Sequence, residues 1–292
     1  MIHENPKEWV VVLGSGYSIN QLPENLVSWI NKCAARIAVN KFGYFYDDTE
    51  IIPTDLYFHD NLNSTADFFL RQSIDKLSSL GSIKFYLNVN LKSYVFRSKL
   101  SFNLRQLHRI FITNTIRFLR YTIKPIHLSS FNSLKKRLNK KNEFKDIYIS
   151  SDSTVRFIEI KELFDINNTW GKSYNEILYH FRGSLTTVLN TIAIEYPNYK
   201  ILMVGVDLND NRYFFDKKLK SINDKMSVGN DWTTPYMDKE GKHFSAIEMK
   251  GVTIFDAIEY CTTNLKSTNN LVYAFPDKNA KIFEQNVNVF KI

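Results

Sequence analysis

The sequence predicts an α/β fold: a mainly parallel sheet with helices on both faces and one inserted helical lid. Apolar runs of strand length alternate with segments whose apolar residues recur at helical spacing, the pattern of strand–helix–strand units. The first run, Trp9 to Leu13 (WVVVL), leads at once into Gly14-Ser15-Gly16-Tyr17-Ser18, which is how Rossmann-like nucleotide-binding sheets begin. The insertion is predicted by Leu100 to Lys145, a cationic amphipathic stretch that breaks the alternation. The chain reads as one domain, 1–292, with 92–145 as a basic insertion and 217–253 as a flexible active-site loop.

Glycines after a first strand let backbone approach a phosphate or sugar. Here Ile19 stands where Gly-x-Gly-x-x-Gly needs its third glycine, so a plain strand-to-helix turn fits the same residues. The second strand, Arg36 to Val39, ends in Asn40 instead of an acid, which disfavours a dinucleotide. Asp55 to Phe58 is a third strand, and it runs into His59-Asp60-Asn61. A helix follows from Ser64, its cap, to Leu80, and Ile83 to Leu87 is a fourth strand. Beyond the insertion, Ile147 to Ser150 and Arg156 to Ile160 read as strands and Asn167 to Tyr179 as a loop.

Arg182 to Asp216 is the stretch around which a site would form. Gly183 and Ser184 suit a helix start, and Leu185, Val188, Leu189, Ile192 and Tyr196 make one apolar stripe that Pro197-Asn198 stops. Ile201 to Val206 is a buried strand with Asp207 at its carboxyl end, where open α/β sheets bind ligands. The polar run to Thr253 has no clear period and is too long for a passive connection. Ile254 to Leu265 is then a helix, Leu271 to Ala274 a last strand, and Phe275-Pro276 begins a tail.

Composition narrows the classes. No run of 18 apolar residues predicts a membrane span, and the start, MIHENPKEW, does not read as a signal peptide. Cys33 and Cys261 have no metal or redox spacing and read as buried thiols in a reducing compartment. The net charge is +8, yet Lys92 to Lys145 holds 14 Lys or Arg against one acid, Glu143. That segment is +13 and the remainder −5, a bias that suits an anionic membrane surface; a solvated basic face packed on the domain is the plainer reading. No nucleic-acid-binding module is recognisable. Neither Walker A, Gly-x-Ser-x-Gly nor His-Glu-x-x-His is present, so those classes fall away. No Asp-x-Asp motif predicts a metal.

With these residues in view, the chain resembles the bacterial sialyltransferases of glycosyltransferase family 42, through scattered motifs over roughly three quarters of its length. VVLGSGYS resembles the strand and loop that contact the donor nucleotide, with Gly14, Gly16 and Ser18 matching and Ser15 and Tyr17 departing. Asn40 matches a donor-contacting asparagine after the second strand. Arg182-Gly183-Ser184-Leu185-Thr186 matches an arginine and small hydroxyl residues before a helix. Gly205 to Asp216 (GVDLNDNRYFFD) is similar to Gly-Ile-Asp and its tyrosines: Tyr213 and Asp216 match, Asn209 stands in place of a phosphate-binding tyrosine, and Arg212 offers a cation instead.

The resemblance implies a GT-A-like sialyltransferase fold, and a transferase that moves sialic acid or a related keto-sugar from a CMP-activated donor to a bacterial surface glycan such as lipopolysaccharide, O-antigen or capsule. It implies no cofactor or metal, and a base in the lid: His243 or Glu248, histidine needing less tuning. His59, Asp60 and Asn61 would face the acceptor. The enzyme would sit in the bacterial cytoplasm, peripheral at the inner membrane through 92–145, its oligomeric state open. Two readings stand beside this one. In the first, Kdo or another sugar is transferred on the same fold, with retention if Asp207 or Glu248 is a nucleophile. In the second, the protein binds a sugar nucleotide or glycan without catalysis.

Overall fold

The computed structural model describes residues 2–59, 64–108, 111, 146–160, 170–181, 183–208, 210, 212–226, 248, 251–276, 278–279, 283 and 286–292. In chain order the strands are β1 (Trp9–Leu13), β2 (Ala35–Val39), β3 (Asp55–Phe58), β4 (Lys84–Asn88), β5 (Val95–Phe96), β6 (Ile147–Tyr148), β7 (Thr154–Ile158), β8 (Lys200–Val204), β9 (Leu271–Phe275) and β10 (Asn288–Val289). The helices are α1 (Glu24–Ile30), α2 (Phe42–Phe45), α3 (Ser64–Ser78), α4 (Ser184–Glu195), α5 (Asp216–Met226) and α6 (Ile254–Lys266), with a further helical run over 99–108.

Eight strands make one sheet in the order β10-β9-β8-β1-β2-β3-β4-β7, and every neighbouring pair is parallel. This is the Rossmann-like α/β architecture expected. A parallel sheet needs crossover segments on its faces, so its central strands are apolar on both sides. All five residues of β1 are buried. Trp9, Val11 and Leu13 enter one core with Leu202, Val204 and residues of α1, α2, α3 and α5. Val10 and Val12 enter the other with Ile201, Met203, α4 and α6. Each such aliphatic side chain contributes about 2 kcal/mol on burial. Cys33 and Cys261 are buried free thiols, and burial pushes Cys33 up to about 12.

The structure differs from the sequence expectation in three places. The expected loop after Asp216 begins with α5: Leu219 is buried and Ile222 packs on the same core as Phe215, a short i, i+4, i+7 stripe obscured by lysines. The tail after Phe275 returns to the sheet as β10, paired with β9 through Asn288 and Val289. The helix expected from a Ser64 cap starts with Ser64 itself and ends at Ser78. In the insertion, 99–108 is helical and β5 and β6 pair at its base; the rest, 112–145, and most of the expected loop, 227–247, lie outside the described residues. Among the described residues, no helix is long and apolar enough to cross a membrane.

At the amino edge of the sheet, the buried Asp55 carboxylate accepts a 2.5 Å hydrogen bond from the Tyr196 hydroxyl, which itself accepts one from Lys84. Burial raises Asp55 to about 6, against the opposing effects of Tyr196 and Lys84. The folded state therefore holds a proton through a window in which the unfolded chain has lost it, so this group lowers stability as pH rises from about 4 to 6. Urea unfolding of wild type and Asp55→Asn across this range tests it. The variant should gain ~2 kcal/mol on wild type between pH ~4 and ~7; a pH-independent difference would contradict the assignment.

Candidate functional site

The sheet changes winding direction between β1 and β8: β2, β3, β4 and β7 follow on one side, β9 and β10 on the other. The crevice beyond the carboxyl ends of β1 and β8 is therefore the switch point at which such sheets take ligands. Two loops close on each other there. Gly14 N–H donates to the Val204 carbonyl and Gly16 N–H to the Gly205 carbonyl, both at 2.8 Å. A Cβ on Gly14 would lie 2.3 Å from the Gly205 oxygen, and one on Gly205, where φ is +67°, would lie 2.4 Å from the Gly14 oxygen. Only glycine fits either position.

Asp207 fastens this contact. Its carboxylate accepts hydrogen bonds from the Ser18 N–H, the Ser18 hydroxyl and the Asn279 amide, each at 2.6 Å. Gly16 leaves room for it, since a Cβ there would meet Asp207 Oδ2 at 2.6 Å. Farther out, Tyr17 N–H donates to the Arg212 carbonyl, Phe214 N–H to the Ser15 carbonyl, and Gly16 bridges Tyr213. The exposed Arg212 guanidinium lies 4.0 Å over the Tyr17 ring and pairs with Asp210 at 2.6 Å, which holds the Asp210 carboxyl below the usual range. Tyr213 stacks on Phe215, and Phe215 on Phe45, so the phenol is carried on a rigid aromatic column.

A second polar group lies along the same edge. Asn40, in a left-handed conformation (φ 51°) that asparagine tolerates, accepts from the His59 N–H and donates to the Ser184 hydroxyl, both at 2.9 Å. One side chain thus ties the ends of β2 and β3 to the first residue of α4. The His59 Nε2 is 2.8 Å from the Asn88 amide nitrogen at the end of β4. The His180 ring lies 5.9 Å from that of His59, and its Nδ1 is 2.9 Å from the Thr187 hydroxyl. Burial, then the nearby His59, pushes His180 down to about 4, so it is uncharged at neutral pH. Gly183 is the N-cap of α4, in extended backbone and without a side-chain cap. The first-turn N–H groups and the helix dipole give this edge its anion-attracting character.

Of the residues singled out from sequence, Gly14, Ser15, Gly16, Ser18, Asp207, Arg212 and Tyr213 form the clasp, and Asn40, His59, Gly183 and Ser184 the adjoining group. Glu248 is exposed. Asp60, Asn61, Arg182, Asn209 and His243 lie outside the described residues. The glycines serve the loop–loop contact. His180, Asn88 and Thr187 were not singled out. The signal for one of them was present: successive strands of one half-sheet end on polar residues, Asn40, His59 and Asn88. Among the described residues no three His, Cys, Asp or Glu side chains are grouped to hold a metal ion. Comparison of the chain with known protein families, curated proteins and solved structures yields no match.

Replacing Asp207 with Ala strands the buried Ser18 donors and the Asn279 amide. Each buried group left unpaired costs about 1–3 kcal/mol, so Asp207→Ala should lose ~3 kcal/mol or more in urea unfolding, with Asp207→Asn closer to wild type. Equal stability of Asp207→Ala and wild type would mean that the clasp does not hold the loops.

Proposed function

We propose that the protein is a glycosyltransferase that moves sialic acid or a related keto-sugar from a CMP-activated donor to a bacterial surface glycan. The observation that carries the reading is the convergence of the two resemblance-bearing loops, Gly14 to Ser18 and Gly205 to Tyr213, at the switch point, with Asn40 bonded to Ser184 beside them. The fold would be of the GT-A-like sialyltransferase type, with 92–145 as lid and 227–247 completing the site.

In this reading the CMP lies across the ends of β1 and β8, and its phosphate sits at the amino end of α4. The acceptor hydroxyl attacks the anomeric carbon from the face opposite the phosphate, and the bond to CMP breaks with inversion. His243 takes the hydroxyl proton. The phosphate charge released is met by the first-turn N–H groups of α4, the Ser184 hydroxyl, the Tyr213 phenol and Arg212, in a preorganised field. His59, held by Asn88, faces the acceptor. Neither a metal nor another cofactor is required by this scheme. Asp207, with both carboxylate oxygens engaged by Ser18 and Asn279, is cast as a positioning residue; a retaining route through it would have to break the clasp.

Incubation with CMP-sialic acid and with CMP-Kdo, with and without EDTA, followed by CMP release, tests the proposal. Release from one donor, unaffected by EDTA, is expected, together with a loss of ~10²–10⁴-fold in transfer for His243→Ala. No release from either donor and no thermal shift with CMP would overturn the CMP-sugar reading. Transfer unchanged in His243→Ala would overturn the base assignment alone. A thermal shift with CMP but no release would favour a sugar-nucleotide-binding protein.

A further inference from the structure

The helical run 99–108 is held to the body by one side. Phe102 packs edge-on against Phe96 of β5 and tilts against Tyr148 of β6, Gln106 donates to the buried Asp146 carboxylate at 3.3 Å, and Arg105 approaches the same carboxylate at 4.0 Å. Leu100, Leu104 and Leu107 fall at i, i+4 and i+7, and at 3.6 residues per turn they lie roughly 100–160° around the helix from Gln106 and Phe102. They are 69%, 57% and 61% exposed. Phe111 is helical and 71% exposed. Lys99 and His108 flank the leucines, while Arg105 faces Asp146. A contiguous apolar stripe of this kind on a soluble surface marks a contact site.

We propose that this face is a membrane-docking surface: Leu100, Leu104 and Leu107 enter the interface of an anionic lipid bilayer while the surrounding cations bind its headgroups. The occupant is chosen by charge. The described stretch 92–108 carries four Lys or Arg, namely Lys92, Arg97, Lys99 and Arg105, and no acid. A second copy set face to face would bring the same excess of positive charge against it. A polyanion such as nucleic acid would meet the cations but leave the leucines in water. A bilayer bearing acidic headgroups satisfies both at once. This inference stands apart from the donor-site reading and does not depend on it.

The test is co-sedimentation of the full chain at low salt with vesicles of phosphatidylglycerol and phosphatidylethanolamine, and with vesicles of phosphatidylcholine alone. Binding to the anionic vesicles should be at least ~10-fold tighter and should weaken at ~0.5 M salt. The Leu100→Ser/Leu104→Ser/Leu107→Ser variant should keep the wild-type melting temperature, its changes being exposed, and bind those vesicles ~10-fold or more weakly. A polarity-sensitive dye on Leu104→Cys reads insertion directly, since Cys33 and Cys261 are buried; its emission should shift to the blue with anionic vesicles. The inference is overturned if wild type ignores anionic vesicles, if the triple variant binds them as wild type does, or if the dye does not shift. A concentration-dependent dimer that the triple variant abolishes would also overturn it, by making the face a contact between copies.

Discussion

The contact between Gly14 and Gly205 sets the geometry of the whole carboxyl edge. β1 and β8 lie side by side with Leu13 opposite Val204, so the loops that follow leave the sheet a few ångströms apart. They separate around a side chain unless both lack one. With glycine on each side the backbones touch, and Gly14 and Gly16 donate across the gap to Val204 and Gly205. That closeness delivers Asp207 to Ser18, and the three donors on Asp207 then hold the loops together. The edge at the winding reversal is thus built of backbone contacts and hydrogen bonds.

The remainder of the edge follows from it. Asn40, one strand over, ties β2 and β3 to α4 through His59 and Ser184. The helix start is thereby fixed beside the clasp, with His59 held by Asn88 and His180 kept neutral by burial. An anion placed there meets helix N–H groups and hydroxyls with no carboxylate facing it from Asp207, whose charge is engaged by Ser18 and Asn279. Neutral, fixed dipoles of this kind stabilise developing charge without reorganising.

Much of the frame was legible in the sequence because its physics is local. WVVVL, DLYF and KILMV are apolar on both faces, as buried parallel strands must be, and β1 and β3 fall where the alternation places them. α4 was legible from its stripe and from Pro197. The elements that escaped owe their existence to tertiary contact. β10 is two residues long and exists by pairing with β9; α5 has a thin stripe among lysines and forms against Phe215 and the core. At the candidate site, strand ends and Gly-x-Gly pointed to the carboxyl edge of the sheet, where the two loops meet. What they could not convey was the partner of each group, because Gly16 with Asp207 and Asn40 with Ser184 are brought together only by sheet order.

The central claim is that the clasp and the Asn40–Ser184 group are two walls of one nucleotide site. Amide hydrogen exchange of the full chain, with and without saturating CMP, tests it most directly. The account predicts slowed exchange confined to 14–18, 40, 184–187 and 205–213, with the strands β3 and β9 unchanged. CMP-dependent protection elsewhere in the chain, with these segments unaltered, would contradict it.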